Sequence, residues 1–416
     1  MFKEKFSGFK ALIPRINPWV LVAAIGLLPL KSSLANAACI VAVVLWIIEG
    51  DFRRKWSEIK SNPVAWLPLV YMLIVVVGLL WTDDIGWGTK LIRKQRRILF
   101  IPIFLTIASP HYLKASILAF LSGCMVAATV SFGVAAGIIP LFGSAYSRSD
   151  PTVFTNHISY TPMMAWAVYV AWALALFGKG LSGKAKARLW VVGLVFLVNL
   201  FMTQGVTGYI GCFALLALLI VQGLGSLWKA MLAGAVAVPL LFLLVFNISP
   251  SFNQRVMQNV EEAGNFQDTA QQAEHQSIGP RLVFWGNTVE VIRSAPWLGV
   301  GTGDFPAAYE EVRKERTPEH HGNLDNPHNQ YLLVAAQHGL LGLSAFVAIL
   351  LAQLVAALRS RTWYRPLMFA LPLFFLLIMM GDSYLLGAHS SIIFLVFTAG
   401  LYSDSAANRN PETMVG

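Results

Sequence analysis

The tetrad Asn326-Pro327-His328-Asn329 opens the long apolar run 330–357. Asparagine suits a helix cap and proline the first helical position, so the spacing predicts a helix starting at Pro327, with His328 in its first turn. The partial positive charge of a helix N-terminus disfavours imidazolium, whereas Asp325 and neighbouring carboxylates favour it. A neutral imidazole at a membrane surface is what general-base chemistry needs. An interfacial histidine that only hydrogen-bonds a neighbour has the same sequence, and both readings stay open at this point. At about 100° per residue, Gly339 and Gly342 fall within about 40° of His328, which predicts another helix packed closely under the histidine. His338 lies about 15 Å deeper and about 80° round the helix. A polar residue inside a span is functional by default, but here it reads as a satisfied interhelical hydrogen bond.

Anion chemistry has three candidates. Gly279-Pro280-Arg281 reads as a helix start that puts Arg281 beside unpaired backbone N–H groups. Guanidinium and helix N-terminus together suit a phosphate, although position alone favours an ordinary surface arginine. Lys90, Arg93, Lys94, Arg96 and Arg97 form the second cluster, which calls either for an anionic ligand or for anionic lipid headgroups. The glycines at 299, 301 and 303 in Pro296–Gly303 suggest a phosphate cradle. No Lys-Ser/Thr follows them and no strand precedes them, so the reading is a tight turn. His320 and His321 sit among carboxylates and are not diagnostic, and none of the eight histidines has metal-ligand spacing. Cys39, Cys124 and Cys212 lie inside apolar runs with neither metal nor disulfide spacing. No metal or other cofactor is expected.

These side chains must be positioned by membrane helices. The 416 residues are 56% hydrophobic and only 12% charged. Soluble domains carry about 25% charged residues, so a cytosolic enzyme, a disordered chain and a fibrous repeat are excluded. The net charge of +10 is spread in short clusters between apolar runs, the way topology is written, which argues against a nucleic-acid partner. About twelve runs approach spanning length: 18–30, 34–49, 63–81, 97–109, 115–139, 158–177, 189–203, 207–223, 230–248, 330–357, 366–380 and 384–402. Ala35-Asn36-Ala37 resembles a signal-peptide cleavage site, but the apolar pattern continues through Ile48 and the first run is read as retained. If the twelve runs alternate, the clusters Lys3–Arg15, Arg53–Lys60, Lys179–Arg188 and Arg359–Arg365 share one side. That side is the cytoplasm, with both termini on it, and Lys90–Arg97 lies opposite. Residues 249–327 form the one long polar loop, where eleven acids against six bases leave −5 on a basic chain. Its Gln-rich 267–276 reads as mobile and the rest as helical. The expected organisation is helices one to nine over 1–248, a periplasmic loop region over 249–327, and helices ten to twelve over 328–416.

His328-Asn329, nine residues, Gly339, two residues and Gly342 resemble the signature of bacterial O-antigen ligases, within a superfamily shared with O-antigen polymerases and protein O-oligosaccharyltransferases. Arg281, Leu282 and Trp285 with the Pro296–Gly303 turn are similar to that family's loop motif, and Arg148–Tyr160, with Asn156 and His157, to its earlier polar loop. Val206 stands where the family often has an arginine after Thr-x-Ser; Arg148 or Lys90–Arg97 are the offered substitutes. The resemblance implies an all-α polytopic inner-membrane protein that moves O-antigen polysaccharide from undecaprenyl pyrophosphate to the lipid A-core at the periplasmic face. Catalysis would be inverting and metal-independent, with His328 as base and Arg281 as pyrophosphate clamp. Arg148, Arg93, Lys94, Arg96, Arg97, Asn329 and His338 would be the substrate-binding residues, and the partners the lipid-linked donor, the lipid A-core acceptor and membrane lipids. A polymerase or protein-glycosylating member is the nearest alternative. A twelve-span transporter or flippase is the alternative from another class, against which no internal repeat is visible.

Overall fold

The computed structural model describes residues 2–142, 147–264, 278–319 and 325–403. The Gln-rich 267–276, His320 and His321 lie outside the described residues. Every described element is helical, apart from an isolated bridge between Ser147 and Asp150. In chain order the helices are α1 (Phe2–Leu27), α2 (Ser32–Glu49), α3 (Phe52–Ser61), α4 (Pro63–Val77), α5 (Ile85–Gln95), α6 (Phe100–Ile107), α7 (Pro110–Ala135), α8 (His157–Phe177) and α9 (Gly183–Phe201). They continue with α10 (Val206–Leu224), α11 (Leu227–Ile248), α12 (Pro250–Gly264), α13 (Ile278–Ser294), α14 (Phe305–Arg316), α15 (Gln330–Arg359), α16 (Arg365–Ile378) and α17 (Ala388–Tyr402).

Each of the twelve apolar runs contains a helix, and eight helices are long and apolar enough to cross a membrane. The other four differ for visible reasons. The α6 helix has eight residues, about 12 Å of rise, too short to cross alone. The α16 and α17 helices have 14 and 15 residues. The α9 helix has 19 residues, but its first two turns carry Lys184, Lys186 and Arg188. The starts follow capping chemistry: Asn62 accepts from the Val64 N–H ahead of Pro63, and Asn156 from the Ser159 N–H.

The α8 helix is the centre of the bundle, 83% buried, and α11 is its lipid face, 6% buried. Trp166 anchors that centre, stacked on Tyr169 at 5.6 Å and Phe374 at 5.7 Å, with Phe397 edge-on at 5.4 Å. The basic loops gather at one end. Lys114 donates to the Lys179 carbonyl at 3.2 Å and lies over the Trp363 ring, while Asn62 donates to the Tyr402 carbonyl. The start of α15 and the 379–387 loop occupy the other end.

A third, small layer covers that other end. Phe284 and Val291 of α13, Phe305 and Tyr309 of α14, and Leu333 and Ala336 of α15 form a second buried cluster apart from the main core. From this layer the 295–303 segment descends into the bundle. The expected tight turn is there, with Gly299, Gly301 and Gly303 at φ of 72°, 113° and 118°.

The partner expected for Gly339 is overturned. No second helix packs on it; the descending turn does. Gly339 breaks α15 with φ 59° and ψ −163°, and a Cβ there would lie 2.2 Å from the Trp297 carbonyl carbon. The helix groups freed by the break bond to the turn. Leu340 N–H donates to the Pro296 carbonyl at 2.8 Å, and Val300 and Gly301 N–H donate to the Ala336 and Gln337 carbonyls. Irregular backbone at membrane depth is tolerated when protein satisfies it in this way. The same turn serves α4, which tightens into a 3-10 turn at Gly78: Thr302 N–H donates to the Gly78 carbonyl, and its hydroxyl to the Val75 carbonyl at 2.6 Å. Gly342 leaves room for the His338 side chain, whose Cβ is 2.2 Å from where a Gly342 Cβ would stand.

Candidate functional site

The helix that follows the histidine begins three residues later than expected. Asn329, not Asn326, caps α15: its side-chain oxygen accepts from Tyr331 and Leu332 N–H at 3.0 and 3.2 Å. His328 is therefore outside the first turn, in a left-handed backbone conformation with φ 52°. Such a conformation costs a non-glycine residue about 1–3 kcal/mol and persists only where neighbours over-determine it. They do so here. Asn326 accepts from the His328 N–H at 3.1 Å and from the Ser383 hydroxyl at 2.8 Å. Asn329 Nδ2 donates to the Met380 carbonyl, Gln330 N–H to the Met379 carbonyl, and Leu385 N–H to Gln330 Oε1. The loop between α16 and α17 is thereby stitched to the start of α15.

That loop brings Asp382. His328 Nδ1 lies 3.1 Å from Asp382 Oδ1, both side chains partly exposed. A carboxylate accepts, so Nδ1 is the donor in this pair, and in the neutral ring the lone pair is then on Nε2. This is the arrangement of an oriented general base. Asp382 was not singled out in the sequence. The available signal was an acid isolated between the runs 366–380 and 384–402, at the end where the histidine sits.

Arg281 is on α13, one helical turn before Trp285. The Trp285 indole N–H donates to the Pro327 carbonyl at 3.0 Å, which fastens α13 to the peptide just before His328. Arg281 lines a small cleft with His157, Gln204, Val206, Thr207, Arg255 and Tyr384. Gly381 also lines it, so the His328–Asp382 pair borders the cleft through the neighbours of Asp382 on both sides. No carboxylate lines it among the described residues. His157 is the first residue of α8, and its Nδ1 lies 3.1 Å from Asp150 Oδ2; the other Asp150 oxygen accepts from the Gln204 N–H at 3.3 Å. The start of α10 also faces the cleft, and its cap residue Gly205 supplies no side-chain acceptor, leaving first-turn N–H groups for a ligand.

The other expected substrate contacts are placed elsewhere. Arg148 is exposed and lies against Gly137, outside the cleft lining; its neighbour Asp150 is the member of that loop that reaches the site. Arg93, Lys94 and Arg96 are exposed on α5 and the turn after it, and Lys90 lies over the Trp87 ring. Arg97 reaches the site loop, donating to the Leu386 carbonyl at 3.2 Å, but does not line the cleft. Asn329 is committed to its cap and to Met380. His338 is buried beneath the descending turn, with Nδ1 3.5 Å from the Thr302 hydroxyl and Nε2 without a partner, so it is not a satisfied contact between two helices. The position of Val206 is served by neither offered substitute; the guanidiniums lining the cleft with it are Arg281 of α13 and Arg255 of α12.

The residues thus make a polytopic helical membrane protein with an imidazole–carboxylate pair next to a cationic cleft at one end of the bundle. Residues 189–347, under half of the chain, are similar to the O-antigen ligase family model. The matched segment contains Val206, Arg255, Arg281 and His328 and stops before Asp382. An uncharacterized protein of Haemophilus influenzae is 22% identical over 263 residues, covering 62% of this chain. The alignment spans 63% of that relative's length.

Proposed function

We propose that the protein is an O-antigen ligase, transferring a polysaccharide from undecaprenyl pyrophosphate to a sugar hydroxyl of the lipid A-core at the periplasmic face of the inner membrane. One observation carries the reading: the indole hydrogen bond from Trp285 to Pro327 ties the helix of Arg281 to the backbone of His328, so cation and base share one rim. His328 Nε2 takes the proton from the acceptor hydroxyl, with Asp382 holding the ring and stabilising the imidazolium that forms. The hydroxyl oxygen attacks the anomeric carbon as its bond to the pyrophosphate oxygen breaks, inverting that centre. Arg281 and the first-turn N–H groups of α10 meet the charge that develops on the departing diphosphate. The residues do this without calling on a cofactor. Both substrates are lipid-anchored, which suits a site at the ends of spans rather than deep within them.

The test is transfer by purified protein in nanodiscs, with undecaprenyl-pyrophosphate polysaccharide as donor and rough lipopolysaccharide as acceptor. The expected product is capped lipopolysaccharide, absent with His328→Ala. Elongation of the donor without lipopolysaccharide would make the protein a polymerase, and transfer by His328→Ala at the native rate would overturn the mechanism.

A further inference from the structure

The cleft contains a guanidinium that the mechanism above leaves unused. Arg255 Nη1 donates to Gln258 Oε1 at 2.8 Å, whereas its Nε is buried with no hydrogen-bond partner. Arg255 makes no ion pair among the described residues, unlike Arg293 and Arg313, which each hold a glutamate. A buried donor without an acceptor costs about 1–3 kcal/mol, a cost that a bound ligand removes. Arg255 and Arg281 come from different helices, α12 and α13, and line the same cleft, whose described lining includes no carboxylate. One guanidinium grips one phosphoryl group through paired N–H donors. A cleft with two separately mounted guanidiniums therefore matches a ligand with two linked phosphoryl groups.

We infer that Arg255 is the specificity-determining residue that makes this cleft prefer a diphosphate to a monophosphate: Arg281 holds one phosphoryl group and Arg255 the other. The inference rests on the proposed reading only for where the lipid diphosphate sits; the binding itself requires no transfer. Arg255 touches the ligand but takes no part in proton transfer, so its loss weakens diphosphate binding more than it slows the bound complex.

Calorimetry on the full-length protein in detergent, with inorganic pyrophosphate and inorganic phosphate as probes in EDTA, tests this. The wild type is expected to bind pyrophosphate more tightly than phosphate. Arg255→Ala should weaken pyrophosphate about tenfold, one charge-assisted contact's worth, and leave phosphate within about twofold. Val206 lines the same cleft, so Val206→Arg in the Arg255→Ala background should recover part of the pyrophosphate preference, which a merely structural role for Arg255 does not predict. Arg255→Lys keeps the charge and loses the planar fork, so it gives a smaller drop and carries the test if Arg255→Ala does not fold. An undiminished pyrophosphate preference in Arg255→Ala would overturn the inference. If Arg281→Ala alone abolishes pyrophosphate binding, the proposed function survives that failure; a wild type that binds neither anion sinks the inference and the clamp together.

Discussion

His328 is held by more hydrogen bonds than a surface histidine needs. Its N–H, its Nδ1 and the carbonyl of the preceding Pro327 each have a partner from a different segment: Asn326, Asp382 and Trp285. What this fixes is the direction of Nε2. Replacing Asp382 with asparagine keeps the shape but offers no charge to an imidazolium and permits the wrong tautomer. Asp382→Asn is therefore expected to lower the turnover number at least about tenfold, with the KM for the donor little changed, measured by steady-state transfer kinetics. His328→Ala should lower it about a hundred- to ten-thousand-fold while the protein still inserts, read by activity together with membrane fractionation. Arg281→Lys keeps a positive charge but loses the fork, so it should raise the donor KM as well as slow turnover. The histidine and arginine were legible because each begins a helical pattern after a proline. Asp382 was not, since it stands alone in a three-residue break between apolar runs and gains meaning only when the chain folds back 54 residues to His328.

At the level of elements, α15 is two helices joined across a kink, and the join is Gly339. The sequence pattern placed Gly339 and Gly342 under the histidine face, but periodicity assumes one unbroken helix from His328, which lies outside α15. A left-handed glycine inside a span is invisible to it, and so the small residues were assigned to a neighbouring helix rather than to the 295–303 turn. The turn itself was legible from its alternating glycines, whereas its descent into the bundle depends on backbone pairing that no local pattern encodes. Gly339→Ala is the discriminating variant. At φ 59° an alanine costs about 1–3 kcal/mol, and its Cβ would overlap the Trp297 backbone besides. The expected result is a lower thermal unfolding midpoint in detergent and proteolysis within 295–303. An α15 that truly ran straight would tolerate this helix former, and unchanged stability would contradict the broken geometry.

For the molecule as a whole, charge and site lie at opposite ends. The cations of Arg53–Lys60, Lys179–Arg188 and Arg359–Arg365 belong to the end tied together by Lys114, Asn62 and Tyr402, while His328, Asp382 and the cleft lie at the other. Short basic loops resist translocation, so the proposed orientation keeps the first end in the cytoplasm and turns the second outward. The exception, Lys90–Arg97, sits on α5 and the turn after it, where Gly88 and Leu91 are buried and Lys90, Arg93 and Lys94 exposed, an amphipathic pattern that suits a helix lying along anionic headgroups. Orientation can then be read with a thiol probe. Cys39, Cys124 and Cys212 are all buried, so they are poor targets for a polar maleimide. A single cysteine introduced at exposed Trp297 or Arg93 should be labelled by a membrane-impermeant maleimide added to cells with a permeabilised outer membrane. One introduced at exposed Ser57, among the basic residues of α3, should be labelled only after the inner membrane is opened. The reverse pattern would turn the cleft toward the cytoplasm, where the lipid A-core acceptor of a finished polysaccharide is not presented, and the ligase reading would fail on topology even if both side chains proved essential.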